Sequence, residues 1–202
     1  MSASATTKRN LLREHPGPST YVDDALYERL LQIAAQWSEA GLAVPAPQAA
    51  TVTALLNQEC RLLDDGRFEE WLNLFVEECI YWIPSDVVPQ DPRREITWEL
   101  QDRRRLEDRV ARIRTGHAFS QIPPTRTRHC LSNIEIWAFG ADELRVRTNL
   151  TIHTYRKGEQ QTLPCMGGYV LQRQAEDDWL IELKQINLID ADQAQGNISF
   201  FL

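Results

Sequence analysis

Apolar residues recur at helical spacing in the first half of the chain and at strand spacing in the second. Leu26, Leu30, Ile33, Ala34 and Trp37 follow one another at three- and four-residue steps. That spacing places them on one face of a helix, which Gly41, Pro45 and Pro47 bring to a stop. From Thr51 the same step links Val52, Leu55, Leu56, Leu62 and Leu63 in a second helix ending at Asp64-Asp65-Gly66. Phe68, Trp71, Leu72 and Phe75 mark a short third helix, and the pair reads as an αα-hairpin. Ile80-Tyr81-Trp82-Ile83, stopped by Pro84, has the aromatic and β-branched content of a buried strand. A loop with Pro89 and Pro92 leads to a further helix that aligns Leu106, Val110 and Ile113.

Beyond Thr115-Gly116 the period changes to two. Leu144, Val146, Leu150 and Ile152 point one way, and Arg145, Arg147, Asn149, Thr151 and His153 the other. This is the alternation of an antiparallel strand with one buried face. Residues 126–139 enter it through Gly140-Ala141-Asp142. It turns at Lys157-Gly158-Glu159 into 162–174, and Glu176-Asp177-Asp178 leads into 179–188. Gly167-Gly168 in the third of these strands reads as a bulge. Helices followed by a strand meander, without βαβ alternation, predict an α+β fold in which a curved antiparallel sheet wraps a helical layer. Residues 1–20, polar and holding Pro16, Gly17 and Pro18, read as a loosely attached lead. With the first helix and its Pro-containing linker they form an N-terminal arm, 1–50, ahead of the α+β domain at 51–202.

The 202 residues and their 43% hydrophobic content suffice for a real core without disulfides or a structural metal. Cys60, Cys79, Cys130 and Cys165 stand far apart with no C-x-x-C pair, as expected of reduced, packed, cytoplasmic thiols. No apolar stretch reaches the length of a secretory leader or a membrane span. The net charge of −7 argues against nucleic acid or anionic lipid as partners.

Candidate chemistry is sparse. His15, His117, His129 and His153 show no metal-ligand spacing; a Rieske cluster would need closely spaced Cys and His pairs, and a mononuclear iron two His and a carboxylate at one cavity. No glycine motif cradles a dinucleotide or a phosphate. Arg103, Arg104, Arg105, Arg109, Arg112 and Arg114, interleaved with Asp102, Glu107 and Asp108, suit a solvated or subunit-facing helix. Arg126 and Arg128 are placed to pair with carboxylates across an interface. His129, at the start of a long strand, is either a general base with Tyr81 or Asp102 beside it, or a structural histidine. Trp71, Trp82, Trp137 and Trp179 fall at core spacing. In the segment Asn197-Ile198-Ser199-Phe200-Phe201-Leu202, three large apolar side chains would each forgo roughly 1.5–3 kcal/mol if left in water. A docked segment is expected, on its own subunit or on a neighbour.

The stretches LLDDGRFEEWLNLFVEECIYWIP, LEDRVARIRTGHAFSQIPPTRTRHCLSNIEI and NISFFL, in that order, resemble the small (β) subunit of bacterial aromatic-ring-hydroxylating dioxygenases over roughly residues 51–202. The LEDRV, IPPTRTRH and SN elements, with REITW upstream, look closest to the benzoate and toluate branch. The resemblance implies a cone-shaped roll like that of nuclear transport factor and ketosteroid isomerase. It also implies assembly of three β with three α subunits, the β subunits forming a trimer, with an NADH-dependent reductase acting indirectly. The Rieske cluster and mononuclear iron are then expected on α, with β chiefly structural and no catalytic residue carried over to this chain. The arm at 1–50 is longer than the family leads one to expect. The same fold also hosts stand-alone isomerases and dehydratases, for which His129 would be the pocket base.

Overall fold

The computed structural model describes residues 19–39, 41–175 and 178–202; the lead at 1–18, with His15, and the turn residues Glu176 and Asp177 lie outside the described residues. The elements are α1 (Asp24–Gln36), α2 (Ala46–Asp64), α3 (Phe68–Leu72), β1 (Phe75–Pro84), β2 (Thr97–Asp102), α4 (Arg103–Arg114), a 3-10 turn (Phe119–Gln121), β3 (Arg126–Ala138), β4 (Glu143–Arg156), β5 (Glu159–Ala175) and β6 (Asp178–Leu188).

Among the described residues the strands form one curved sheet in the order β2-β1-β6-β5-β4-β3. The expected meander is the unbroken antiparallel run from β3 to β6, while β1 joins β6 in parallel and pairs β2 antiparallel. Pro47 opens α2 in its first turn, where a missing N–H is harmless, so the helix starts before Thr51. Phe75 begins β1 instead of ending α3, and β2 is a strand where only a loop was expected. Gly167 and Gly168 pair in unbroken register with Thr148 and Arg147, so they form no bulge against β4. Gly168 instead makes room for Trp37, since a Cβ there would lie 2.7 Å from the indole ring.

Successive strand residues point to opposite faces, and each face carries its own core. One face packs Tyr81, Leu150, Ile152, Tyr169, Ile186 and Leu188 against α2, α3, α4 and the segment Phe200–Leu202. The other packs Ile80, Trp82, Val170 and Leu183 beneath Leu30 and Ile33 of α1 and Trp37, which caps its C-terminus. A 13-residue helix is marginal in isolation, so this burial holds α1, aided by Arg29 bonds to Glu143 (3.1 Å) and Glu182 (2.7 Å). The edge strand β3 is blunted against further pairing. Ala43 bridges Trp137, and the ladder shifts register between Ser132 and Glu135, where Asn133 turns to φ 51°.

Candidate functional site

The interior between the helical layer and the sheet holds a charged and aromatic cluster. Glu59 of α2 and Lys184 of β6, both fully buried, meet at 2.6 Å between Oε1 and Nζ. Trp71 Nε1 donates to Glu59 Oε1 at 3.1 Å and the Tyr169 hydroxyl to Oε2 at 3.1 Å. The ammonium also sits 5.9 Å from the Tyr81 ring centroid and 5.8 Å from that of Tyr169. Burial, then the Glu59 charge, pushes the Tyr169 phenol well above its ordinary range, and burial does the same for Tyr81. Burial likewise holds the Cys60, Cys79 and Cys165 thiols up at about 12. Burial thus favours the neutral thiol and phenol forms around a satisfied ion pair. Sequence reasoning passed over this pair, although Glu59 lies in phase with Val52, Leu56 and Leu63 on a face otherwise apolar, which is a signal.

The residues expected to surround a base are not brought together. His129 Nδ1 lies 2.6 Å from Asp64 Oδ1, and its backbone N–H donates to Oδ2 at 3.2 Å. Its side chain is 1% exposed, and Nε2 is enclosed with no partner among the described residues. Burial alone would raise the Asp64 carboxyl, but hydrogen bonds from the His129 ring, the Thr127 hydroxyl and the His129 backbone outweigh it and hold it below the usual range. Tyr81 serves elsewhere: its hydroxyl accepts from Leu202 N–H at 3.0 Å and donates to the Leu202 carbonyl at 3.3 Å. Asp102 caps α4 by accepting from Arg105 N–H at 2.8 Å. The expected partnership of His129 with Tyr81 or Asp102 is therefore corrected to one with Asp64, the residue that closes α2. Clefts open elsewhere, walled by Glu77, Glu78 and Gln172, by Val44, Ile134 and Trp137, and by Tyr27, Ile80 and Asp102.

The Arg-rich helix is not uniformly solvated, which corrects that expectation. Arg103 is buried, bonding Glu107 at 2.8 Å and the Leu72 carbonyl at 2.6 Å. Arg109 donates to the Phe200 carbonyl at 2.6 Å and lies 4.3 Å over the Phe201 ring. Phe201 also meets Trp71 at 4.7 Å and Phe68 at 5.1 Å between ring centroids, so the segment is docked on its own subunit. Asn197 pins it, donating to the Ser120 carbonyl at 2.9 Å and accepting from Ser199 N–H at 3.1 Å. Arg126 and Arg128 project, exposed, from the other side of the sheet.

The donor set of the described residues does not fit an iron centre. Among the described residues no three His, Cys, Asp or Glu side chains converge; His153 bonds Thr162 (3.1 Å), His129 is taken by Asp64, and three of the four thiols are buried.

A family model described as ring hydroxylating beta subunit matches residues 58–193. The small oxygenase component of the p-cumate 2,3-dioxygenase system of Pseudomonas putida is 31% identical over 170 residues, 80% of this chain and 94% of that one. The benzoate 1,2-dioxygenase subunit beta of Acinetobacter baylyi is 32% identical over 130 residues, 62% of this chain and 77% of its own. The solved β subunit of the Burkholderia mallei benzoate 1,2-dioxygenase superposes with a TM-score of 0.60 at 28% identity, covering 74% of this chain and 95% of that one. A naphthalene 1,2-dioxygenase chain, at 19% identity, shares the fold with a TM-score of 0.67 over 90% of this chain and 95% of its own.

Proposed function

This chain belongs to the family of ring-hydroxylating β subunits, and on that premise we propose that it is the structural, non-catalytic β subunit of a multicomponent aromatic-ring dioxygenase. The oxygenase adds both atoms of O₂ to a benzoate-like acid at the start of its breakdown. Its α subunit carries the Rieske cluster and the mononuclear iron, and a separate reductase delivers electrons from NADH. Three β and three α subunits assemble in the cytoplasm, the β subunits around their own trimer. Relatives named for benzoate, toluate and p-cumate dioxygenases support the aromatic-acid class.

One observation carries the non-catalytic role. The interior between the helical layer and the sheet is occupied by the Glu59–Lys184 pair and the rings of Trp71, Tyr81 and Tyr169, each fully buried. What these residues do is tie α2 and α3 to β6 and β5 by charge-assisted bonds, which gives the subunit a rigid shape to present to its partners. The test is purification of the chain alone, followed by incubation with benzoate, NADH and reductase. The expected preparation is colourless, iron-free and inactive. Stoichiometric iron in the purified chain, or dihydrodiol formed without an α subunit, would falsify the proposal, and turnover lost in His129→Ala would point to a stand-alone enzyme.

A further inference from the structure

We propose that the end of the sheet where β1 and β6 finish is the seam between copies of this chain, the cationic β3–β4 side of one copy seating on the acidic segment that follows β6 in the next. This rests on the β-subunit reading and gives its trimer a contact. The strand directions bring six boundaries to that end: β1, β4 and β6 finish there, and β2, β3 and β5 begin there. Most of the exposed apolar surface collects with them. Val87, Val88 and Ile96 lie on the β1–β2 connection and Ile189 follows β6, while Phe119 and Ile122 precede β3 and Tyr155 closes β4. Of the large apolar side chains exposed among the described residues, only Leu42 and Phe139 lie at the opposite end, near the Ala43–Trp137 bridge. Scattered singly, such residues need no partner; gathered at one end they mark an interaction surface.

Charge divides this end in two. On the β3–β4 side, Arg126 pairs with Tyr155 and Arg128 with His153 across the ladder, all four exposed on the face opposite the helical layer. The Arg126 guanidinium lies 4.5 Å over the Tyr155 ring, and Arg128 donates to the Thr127 carbonyl at 2.9 Å. Neither has a carboxylate within 4.0 Å among the described residues, whereas Arg29, Arg103, Arg114 and Arg145 are each closed on one. Arg156 holds the Pro123 and Ile122 carbonyls at 3.0 and 3.3 Å, which keeps the apolar turn against this side. Beyond β6 the sign reverses. No Lys or Arg occurs from Ile186 to Leu202. Asp190 and Asp192 are exposed beside Ile189, without a cation within 4.0 Å among the described residues. Their segment is fixed: Trp98 Nε1 donates to the Ala191 carbonyl at 2.9 Å and Gln195 to that of Asp190 at 2.6 Å. Ala191 is buried between them, which leaves both acids on the outside.

The two sides do not meet within one copy. β4 and β5 stand between β3 and β6, a separation of about 14 Å at the usual strand spacing. Along β5, about 16 Å of strand separates Gln160, level with Tyr155, from Cys165, level with Leu188. Between copies, two distinct patches that complement each other make a heterologous contact, the kind that rotation closes into a ring. Both patches flank one end of the sheet, so the ring axis passes that end. Each contact sets the two guanidiniums against the two carboxylates and covers the apolar groups around them, arginine and aromatic residues being enriched at interfaces. It also offsets the repulsion between chains of charge −7.

The experiment is a charge-reversal cycle on the full chain, read by analytical ultracentrifugation at micromolar concentration, with thermal midpoints to check folding. Arg126→Glu/Arg128→Glu and Asp190→Lys/Asp192→Lys should each weaken self-association about a hundredfold or more, since juxtaposed like charges are costly. The chain carrying all four changes should regain it. Should a reversal fail to fold, Arg126→Gln/Arg128→Gln and Asp190→Asn/Asp192→Asn replace it, with about tenfold weakening expected. Reversals or neutral replacements that leave the trimer intact, or a combined chain that folds but stays monomeric, overturn the contact and leave the β-subunit reading standing. Variants that keep the trimer and lose only the α subunit assign this end to that partner and also overturn it. A wild-type chain that is monomeric at this concentration overturns it as well, and the β-subunit reading falls with it only if that chain also fails to bind the α subunit.

Discussion

Replacing Lys184 by Met removes the ammonium at the centre of the fold while keeping an unbranched side chain of similar reach. It leaves the Glu59 carboxylate, 0% exposed, facing only the Trp71 N–H and the Tyr169 hydroxyl. Removing one partner of a buried ion pair costs about 3–5 kcal/mol, because the other charge stays buried and uncompensated. At this chain length each kcal/mol moves the melting midpoint by about 2–4 °C. Lys184→Met should therefore lower it by about 6–20 °C, and Glu59→Gln, which strands the ammonium instead, should fall in the same range. The double variant Glu59→Gln/Lys184→Met buries no charge, and its amide oxygen can still accept from Trp71 or Tyr169. Its loss should be smaller than the sum of the single losses by about 0.5–3 kcal/mol, the coupling expected of residues in direct contact. Urea unfolding followed by far-ultraviolet circular dichroism measures all four corners of the cycle. Additive losses, or a Lys184→Met cost below about 1 kcal/mol, would refute the view that this pair ties the helical layer to the sheet.

Phe201→Ala empties a site packed by Trp71, Phe68, Tyr81 and Arg109; a loss of about 3–5 kcal/mol is expected in denaturant titrations, and an unchanged midpoint would contradict the docked segment. Gly168→Ala places a methyl group 2.7 Å from the Trp37 ring, so α1 should lift and tryptophan emission shift to the red, with Trp37→Ala relieving the defect. Asp64 has its carboxyl held below the usual range in the folded chain, so it contributes stability above the ordinary carboxylate pKa of about 4 that is lost as pH falls through the folded value. Asp64→Asn should be less stable at neutral pH and show a shallower loss on acidification, measured as urea midpoints between neutral pH and about pH 2.5. An unchanged acid slope would remove Asp64 as its source.

The second half of the fold was legible because alternation is sharp there: Leu144, Val146, Leu150 and Ile152 against Arg147, Asn149 and His153 leaves little freedom of register. β2 was not, since nearly all of Thr97–Asp102 is half-buried and the sequence shows no contrast to follow. The glycine pair at 167–168 misled because a close approach and a bulge make the same demand for a missing side chain, and only the position of Trp37 separates them. Around His129 the sequence offered a strand position but no partner, for Asp64 is 65 residues away and stood out only as part of a turn. Lys184 and Glu59, 125 residues apart, have the same difficulty. Each is a charge in an apolar phase, and pairing them takes the topology that sets α2 across β6.

The proposed role of this chain is to shape an oxygenase without holding its metals. Native mass spectrometry of this chain co-expressed with the large subunit of its oxygenase tests that most directly. The predicted spectrum is an equimolar particle of three large and three small subunits that, on activation, releases this chain at its bare sequence mass while iron and sulfide stay with the large subunit. A small subunit released with iron attached, or one never found with the large subunit, would contradict the account.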